Sequence, residues 1–197
     1  MSKFKVELTS TDEGETRIKA TYQGNPCDLK VINESIGNRR RSLELILNDI
    51  LQSHEYLCLL EGAEGSSLAK PLYKAFVVTY GKCFSTGKER GLSLDARDVF
   101  KESKANHEVH DLVMKTRNKY IAHSDSSGYE SSEIYLASYS NHSEILAYVQ
   151  KYSHPVEFSL EKEKNLCLYV HKVIERKILK EDQHLIKSLA SVANGTA

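Results

Sequence analysis

The stretch Leu72–Phe84, LYKAFVVTYGKCF, sets the character of the fold. Its large apolar side chains recur at steps of three and four residues, which is the period of one face of a helix. They are Tyr73, Phe76, Val77, Tyr80 and Phe84. Pro71 lies at the start of the pattern, where a helix tolerates its missing N–H. The spacing therefore predicts a core helix that begins after Ser67 and has Gly87 as its C-cap.

The helical period continues on both sides of this stretch. Before it, apolar residues from Ile36 onward predict a long helix that ends near the glycine-rich residues 61–66. After it, Ser93 is a candidate N-cap for a third helix over 94–122. A last long helix is expected after Ser159, fading into a frayed polar tail over 191–197.

Strand patterns flank these helices. Residues 3–22 alternate between apolar and polar, which predicts a hairpin with Gly14 in its turn, and residues 23–28 are expected to form a loop. Residues 133–139 and 155–160 are expected to be short strands. A short helix through Ile145, Leu146 and Val149 is predicted between them.

Composition limits the possible functions without choosing one. The 197 residues contain 27 basic and 27 acidic side chains, so the net charge gives no argument for nucleic acid. The four cysteines are scattered without a C-x-x-C pair, which favours free buried thiols in a reducing compartment. The sequence shows no apolar leader and no run of about 18 apolar residues. We therefore expect a cytoplasmic protein without a membrane segment.

The end of the third predicted helix carries the clearest candidate site. It reads MKTRNKYIAHSD, with Arg117 and His123 six residues apart. On an ideal helix these two side chains point about 120° apart, so one straight helix cannot bring them together. Either the helix unwinds near Ala122, or a second copy of the chain faces the first and the two sets line one cleft.

These residue types suit chemistry on a phosphate ester. Arg117 offers a planar fork of donors that cannot lose its charge, and His123 can exchange a proton near neutral pH. Asn118 can orient a hydroxyl or an imidazole, and Lys115 and Lys119 add local positive charge that favours an RNA backbone. The alternative is structural, because a helix dipole stabilises cations in its last turn.

With its helical context, the RNKYIAH segment resembles the R-x(4–6)-H motif of the HEPN superfamily, in which a polar residue follows the arginine. The stretches LVMKTRNKYIAHSD and YGKCFSTGKERGLSL are similar to abortive-infection proteins of that superfamily. The resemblance covers about residues 35–125 and implies a four-helix bundle, from which the N-terminal hairpin and the strands of 129–160 are departures. Together with the patterns above, it predicts a mainly α fold with short strands at the N-terminus and between the third and fourth long helices. We expect a single domain over 1–197, comprising a hairpin and loop (1–30), core helices (35–125), a β-containing insertion (129–160) and a C-terminal helix (161–190).

The resemblance also implies an activity. HEPN proteins of this kind are metal-independent endoribonucleases that act as homodimers, in which the 2′-hydroxyl of the RNA is the nucleophile and the products carry 2′,3′-cyclic phosphate ends. By this resemblance Arg117 binds the scissile phosphate, His123 is the general acid and base, and Asn118 assists orientation. The expected setting is a toxin or antiphage effector, with an antitoxin or a nucleotidyltransferase-type partner and no cofactor. The alternative is an inactive bundle that only binds RNA or protein.

Further residues are candidates for supporting roles. His110 is seven residues before Arg117 and can share its face, although a surface histidine is the competing interpretation. His107 and His110 lack a third ligand at zinc spacing. Asp125 can orient His123, but SDSSG is also ordinary turn sequence. Weaker candidates are the accessory residues Lys119 and Tyr120 and the RNA contacts Lys88, Arg90, Arg40 and Lys115.

Overall fold

The structure is a computed structural model that describes residues 4–10, 16–29, 32, 35–87, 91–118, 130–139, 142–152 and 159–194. The described chain is mainly helical, as the sequence predicts, with a small antiparallel sheet at its N-terminus. It divides into two compact units, one ending at Gly37 and the other beginning at Asn38.

The first unit contains a three-stranded antiparallel sheet in the order β1-β2-β3. Its strands are β1 (Phe4–Ser10), β2 (Thr16–Tyr22) and β3 (Asn25–Pro26). The predicted hairpin of β1 and β2 is confirmed, while its Gly14 turn lies outside the described residues. The expected loop at 23–28 contains β3 instead, because Gln23 and Gly24 adopt positive φ angles of 53° and 87° and form a tight turn.

One face of this sheet is apolar and exposed. Phe4, Val6 and Leu8 on β1 pair directly with Tyr22, Ala20 and Ile18 on β2, so their side chains share a face. The three β1 side chains are 59%, 61% and 68% exposed.

The second unit is built from five described helices. They are α1 (Ser35–Gly62, whose first residues belong to the first unit), α2 (Ala69–Cys83), α3 (Ala96–Val99), α4 (Lys104–Thr116) and α5 (Leu160–Asn194). The apolar stripe of α2 is at the centre of their core, since Tyr73, Phe76, Val77 and Tyr80 are all buried. Around it pack Leu43, Ile46, Ile50 and Leu57 of α1, Val113 of α4, and Leu166, Val170 and Ile174 of α5.

The third predicted helix is two helices in the structure. Asp95 accepts a hydrogen bond from the Arg97 N–H at 2.8 Å and caps α3, and Ser103 accepts one from the Asn106 N–H and caps α4. The prediction of one helix from 94 was wrong because two capping residues lie within it. Gly87 is not the C-cap of α2, which ends at Cys83, whose carbonyl accepts from the Leu94 N–H at 2.8 Å.

The segment before α5 also differs from the prediction. Strands β4 (Glu130–Tyr139) and β5 (His142–Tyr152) form an antiparallel hairpin. The short helix expected through Ile145, Leu146 and Val149 was wrong, because this β-branched and aromatic segment pairs with β4 as a strand. Of the strand expected at 155–160, residues 155–158 lie outside the described residues and Leu160 begins α5.

The C-terminal helix begins where the sequence predicts and runs further than expected. Helix α5 continues to Asn194, so residues 191–194 of the expected tail are helical, and their fraying stays a prediction. Across the described ranges, no helix has the length and apolarity to cross a membrane. Cys83 and Cys167 are buried as expected, whereas Cys58 is exposed.

Candidate functional site

The side chain of Arg117 lies directly against α2 at Gly81. A Cβ atom built on Gly81 would be 2.9 Å from Cδ, 3.1 Å from Nε and 3.3 Å from Cγ of Arg117. The first distance is shorter than real Cβ contacts and the other two are tighter than most, so a side chain at position 81 would require Arg117 to move. Gly81 is buried within a helix, where glycine costs about 1 kcal/mol relative to alanine. The close approach of Arg117 gives a physical reason for that cost.

The backbone changes its hydrogen-bonding period where Arg117 begins. Helix α4 is regular to Thr116, and Arg117 and Asn118 then form a π-type turn. Arg117 Nη1 donates to Oδ1 of Asn118 at 3.0 Å, so the next residue helps to orient the guanidinium. Local π-type turns within α-helices are frequently found at functional sites. Arg117 is therefore held by its neighbour in sequence and by the α2 glycine.

His110, two turns before Arg117, contacts the same part of α2. Its Nδ1 and the hydroxyl of Tyr80 are hydrogen-bonded at 2.9 Å. Tyr80 and Gly81 are consecutive, so His110 and Arg117 lie along one seam between α2 and α4. The histidine is only 5% exposed, so the interpretation as a surface histidine was wrong.

Aromatic rings enclose His110. Its ring centroid is 4.3 Å from that of Phe84 and 4.9 Å from that of Phe100. Burial lowers the pKa of His110 to about 4, because the surrounding rings cannot solvate an imidazolium. His107 stacks on Phe100 at 5.5 Å. At neutral pH, His110 is therefore an uncharged partner of Tyr80 near the base of Arg117.

The other predicted site residues divide into two groups. Lys115 is exposed on the last turn of α4. Arg40, in α1, forms 2.6 Å ion pairs with Glu44 and Asp182, so its guanidinium already has two carboxylate partners. The remaining candidates lie outside the described residues: Lys88, Arg90, Lys119, Tyr120, His123 and Asp125. The meeting of Arg117 with His123 stays a prediction.

Sequence reasoning missed two residues of note, Gly81 and Glu163. A glycine inside a strongly apolar helix is a visible signal, because a helix interior disfavours it unless something needs the space. Glu163 gives no comparable signal, since a glutamate in the first turn of a helix is ordinary.

Glu163 is 1% exposed and lines a cavity of about 490 Å³ between α4 and α5. Its Oε2 has no hydrogen-bond partner among the described residues, and burial raises its pKa to about 8 despite the Ser159 backbone N–H, which favours the charged form. A carboxyl group in this position is protonated at neutral pH.

Comparison with known proteins adds no relative. No family model matches the chain, and neither a curated protein nor a solved structure matches it.

Proposed function

We propose that this protein is a metal-independent endoribonuclease of the HEPN type, with Arg117, Asn118 and His123 as its motif. The observation that carries the proposal is the side chain of Arg117, which lies over Gly81 and is hydrogen-bonded to Asn118. An arginine held in this way loses less side-chain entropy when it binds a phosphate. An arginine that only stabilised the helix dipole would need neither the glycine nor the amide.

In the proposed reaction the 2′-hydroxyl of the RNA attacks the adjacent phosphorus, and the bond from phosphorus to the 5′-oxygen breaks. Arg117 binds the non-bridging oxygens and stabilises the charge that develops on them. His123 exchanges the protons of the attacking and leaving oxygens. The products are a 2′,3′-cyclic phosphate and a 5′-hydroxyl, so atoms and protons balance without a metal or a protein nucleophile.

The same proposal includes a homodimeric HEPN bundle that acts as a toxin or antiphage effector. A single straight helix would direct Arg117 and His123 about 120° apart, which favours a cleft between two copies. The other route is unwinding of the helix after Arg117 and Asn118, where the backbone leaves the regular α-helical hydrogen-bonding period.

The first test is a cleavage assay on total RNA in EDTA with mapped fragment ends. The wild type should give cyclic-phosphate ends, and His123→Ala and Arg117→Ala should each lower the rate at least about a hundredfold. Lys104→Ala, on the exposed first turn of α4, is the control and should cleave normally. Cleavage that survives both motif changes would overturn the proposal. RNA binding without cleavage by the wild type would support the inactive binding module instead.

A second test examines the support of Arg117. Gly81→Ala places a methyl group where Cδ and Nε of Arg117 lie, so the side chain must move. We expect a folded protein with cleavage reduced about tenfold or more, because small misplacements of positioning groups are costly. Ala75→Gly is the control. It makes the reverse substitution at a partly buried position of the same helix that is away from Arg117. Normal cleavage by Gly81→Ala would remove the main structural support for the proposal.

A further inference from the structure

Helix α5 separates its charges by face. Its buried side includes Leu166, Cys167, Val170 and Ile174. At 100° per residue, six of its seven cations fall within an arc of about 140°, and none of its five acids does. The six are Lys162, Lys172, Arg176, Lys177, Lys180 and Lys187, which we call the cationic stripe. In a chain with no net charge, this segregation concentrates positive potential on one face.

The acids of α5 are largely used within the second unit. Arg39 pairs with Glu181 at 2.5 Å, and Arg40 pairs with Asp182 at 2.6 Å. His171 lies 3.6 Å from Glu175. The two arginine pairs join α5 to α1, the histidine contact lies within α5, and all three engage carboxylates that lie outside the arc of the stripe.

The stripe itself is mostly unpaired. Lys177 donates a hydrogen bond to the carboxylate of Asp98. The other five cations are exposed and form no ion pair with a described residue. Unpaired cations on one face leave their charge available to a partner, which a row of salt bridges would not.

The stripe borders a shallow cavity of about 290 Å³ against the α3 segment. Lys101 contributes a further cation to its lining, opposite Arg176 and Lys180. Asp98 and Glu102 lie in the same lining, and Asp98 is already paired. Lys101 and cations of the stripe therefore converge on a groove in which Glu102 forms no ion pair with a described residue.

We propose that the cationic stripe binds the phosphate backbone of single-stranded RNA. Lys172, Arg176 and Lys180 follow one another at about 6 Å along the helix axis, a spacing that allows one cation for each successive phosphate of a strand. Such contacts are independent of sequence and supply most non-specific affinity. The inference rests on the proposed function, because it assigns a substrate-binding surface outside the Arg117 motif.

The test is the salt dependence of binding to a fluorescent 2′-O-methyl RNA in EDTA, which the proposed chemistry cannot cleave. The variant carries Lys172→Gln, Arg176→Gln and Lys180→Gln. The control removes the same charge elsewhere, with Lys5→Gln, Lys19→Gln and Lys104→Gln, all at exposed positions. We expect the stripe variant to bind more weakly and its log–log salt slope to fall by about 2, at about 0.7 per lost contact. The control should keep both affinity and slope.

The outcomes distinguish failure of RNA binding by the stripe from failure of the proposed nuclease activity. An unchanged salt slope in the stripe variant, or an equal change in the control variant, overturns RNA binding by the stripe. It leaves the proposed cleavage at Arg117 unaffected. Stripe-dependent binding by a wild type that never cleaves RNA overturns the nuclease and keeps the stripe. Failure of the wild type to bind RNA at low salt, or equal stripe-dependent binding to poly-glutamate or to vesicles rich in phosphatidylserine, overturns the RNA assignment.

Discussion

His110 and Glu163 are two buried titratable groups of the same unit, and their surroundings differ. His110 has Tyr80 as a hydrogen-bond partner, whereas Oε2 of Glu163 has none in the part of the chain that the structure describes. Burial lowers the pKa of His110 to about 4 and raises that of Glu163 to about 8. Both groups are therefore uncharged at neutral pH, and burial alone achieves this in opposite directions.

The two groups should also oppose each other in stability. From about pH 4.5 to 8 the folded state holds a proton on Glu163 that the unfolded state has lost, so stability falls as pH rises. From about pH 4 to 6.5 the unfolded state binds a proton on His110 that the folded state does not bind, so stability rises with pH. Between about pH 4.5 and 6.5 the two slopes cancel, and single variants should separate them.

The largest expected effect belongs to Glu163→Gln. The amide cannot ionise, so the fall in the free energy of unfolding between about pH 6.5 and 8 should disappear. The difference from wild type should grow toward alkaline pH and reach about 5 kcal/mol at most, since the pKa rises from 4.5 to about 8 and one pKa unit is worth about 1.4 kcal/mol. Urea denaturation across the pH range measures it. Glu161→Gln, exposed on the same turn, is the control, and a pH-independent difference for Glu163→Gln would contradict the assignment.

His110→Gln should remove the rise in stability with pH that His110 causes in the wild type. Without the histidine, stability should fall continuously from about pH 4.5 to 8, because Glu163 is then the only one of the two groups that titrates. Relative to wild type, the variant should gain up to about 3 kcal/mol between pH 6.5 and 4, on top of a constant packing cost. The same denaturation series measures this gain, with exposed His184→Gln as its control. A wild-type-shaped profile in His110→Gln would show that His110 is not excluded from water.

The smallest effect is expected from Tyr80→Phe, which removes the one contact that distinguishes the two sites. It deletes the 2.9 Å hydrogen bond and leaves Nδ1 of His110 buried without that partner, as Oε2 of Glu163 already is. We expect a loss of about 1 to 2 kcal/mol at pH 7. Thermal unfolding measures the loss, and imidazole NMR shifts report the His110 pKa. Tyr169→Phe, whose hydroxyl donates to the Val99 carbonyl, is the control.

Hydrophobic periodicity was sufficient to predict the long helices. It was insufficient where a few side chains determine the type of an element or where it begins and ends. The stripe of α2 and the start of α5 followed from spacing, because burying an apolar face dominates over a long segment. The break between α3 and α4 did not, since it depends on the local caps Asp95 and Ser103. Strand β5 was missed because short apolar runs fit both periods.

The candidate site was also partly predictable. Arg117 and Asn118 were visible as residue types at a spacing, and the structure adds how the arginine is held. Gly81 is visible in the sequence as a glycine inside an apolar helix, but the reason for it needs the structure, because it is a side chain 36 positions away in the chain. Likewise, no sequence pattern places Glu163 out of reach of a partner, since that depends on how α4 and α5 pack.

The exposed face of β1 has a consequence for handling the protein in concentrated solution. Within the described residues β1 pairs only with β2, so it is an edge strand that carries the exposed side chains of Phe4, Val6 and Leu8. Edge strands of this kind template the addition of further strands and promote aggregation. A lysine at Val6 would place a charge in the centre of that face, the device by which many sheet proteins keep such edges apart, and would leave the helical unit unchanged.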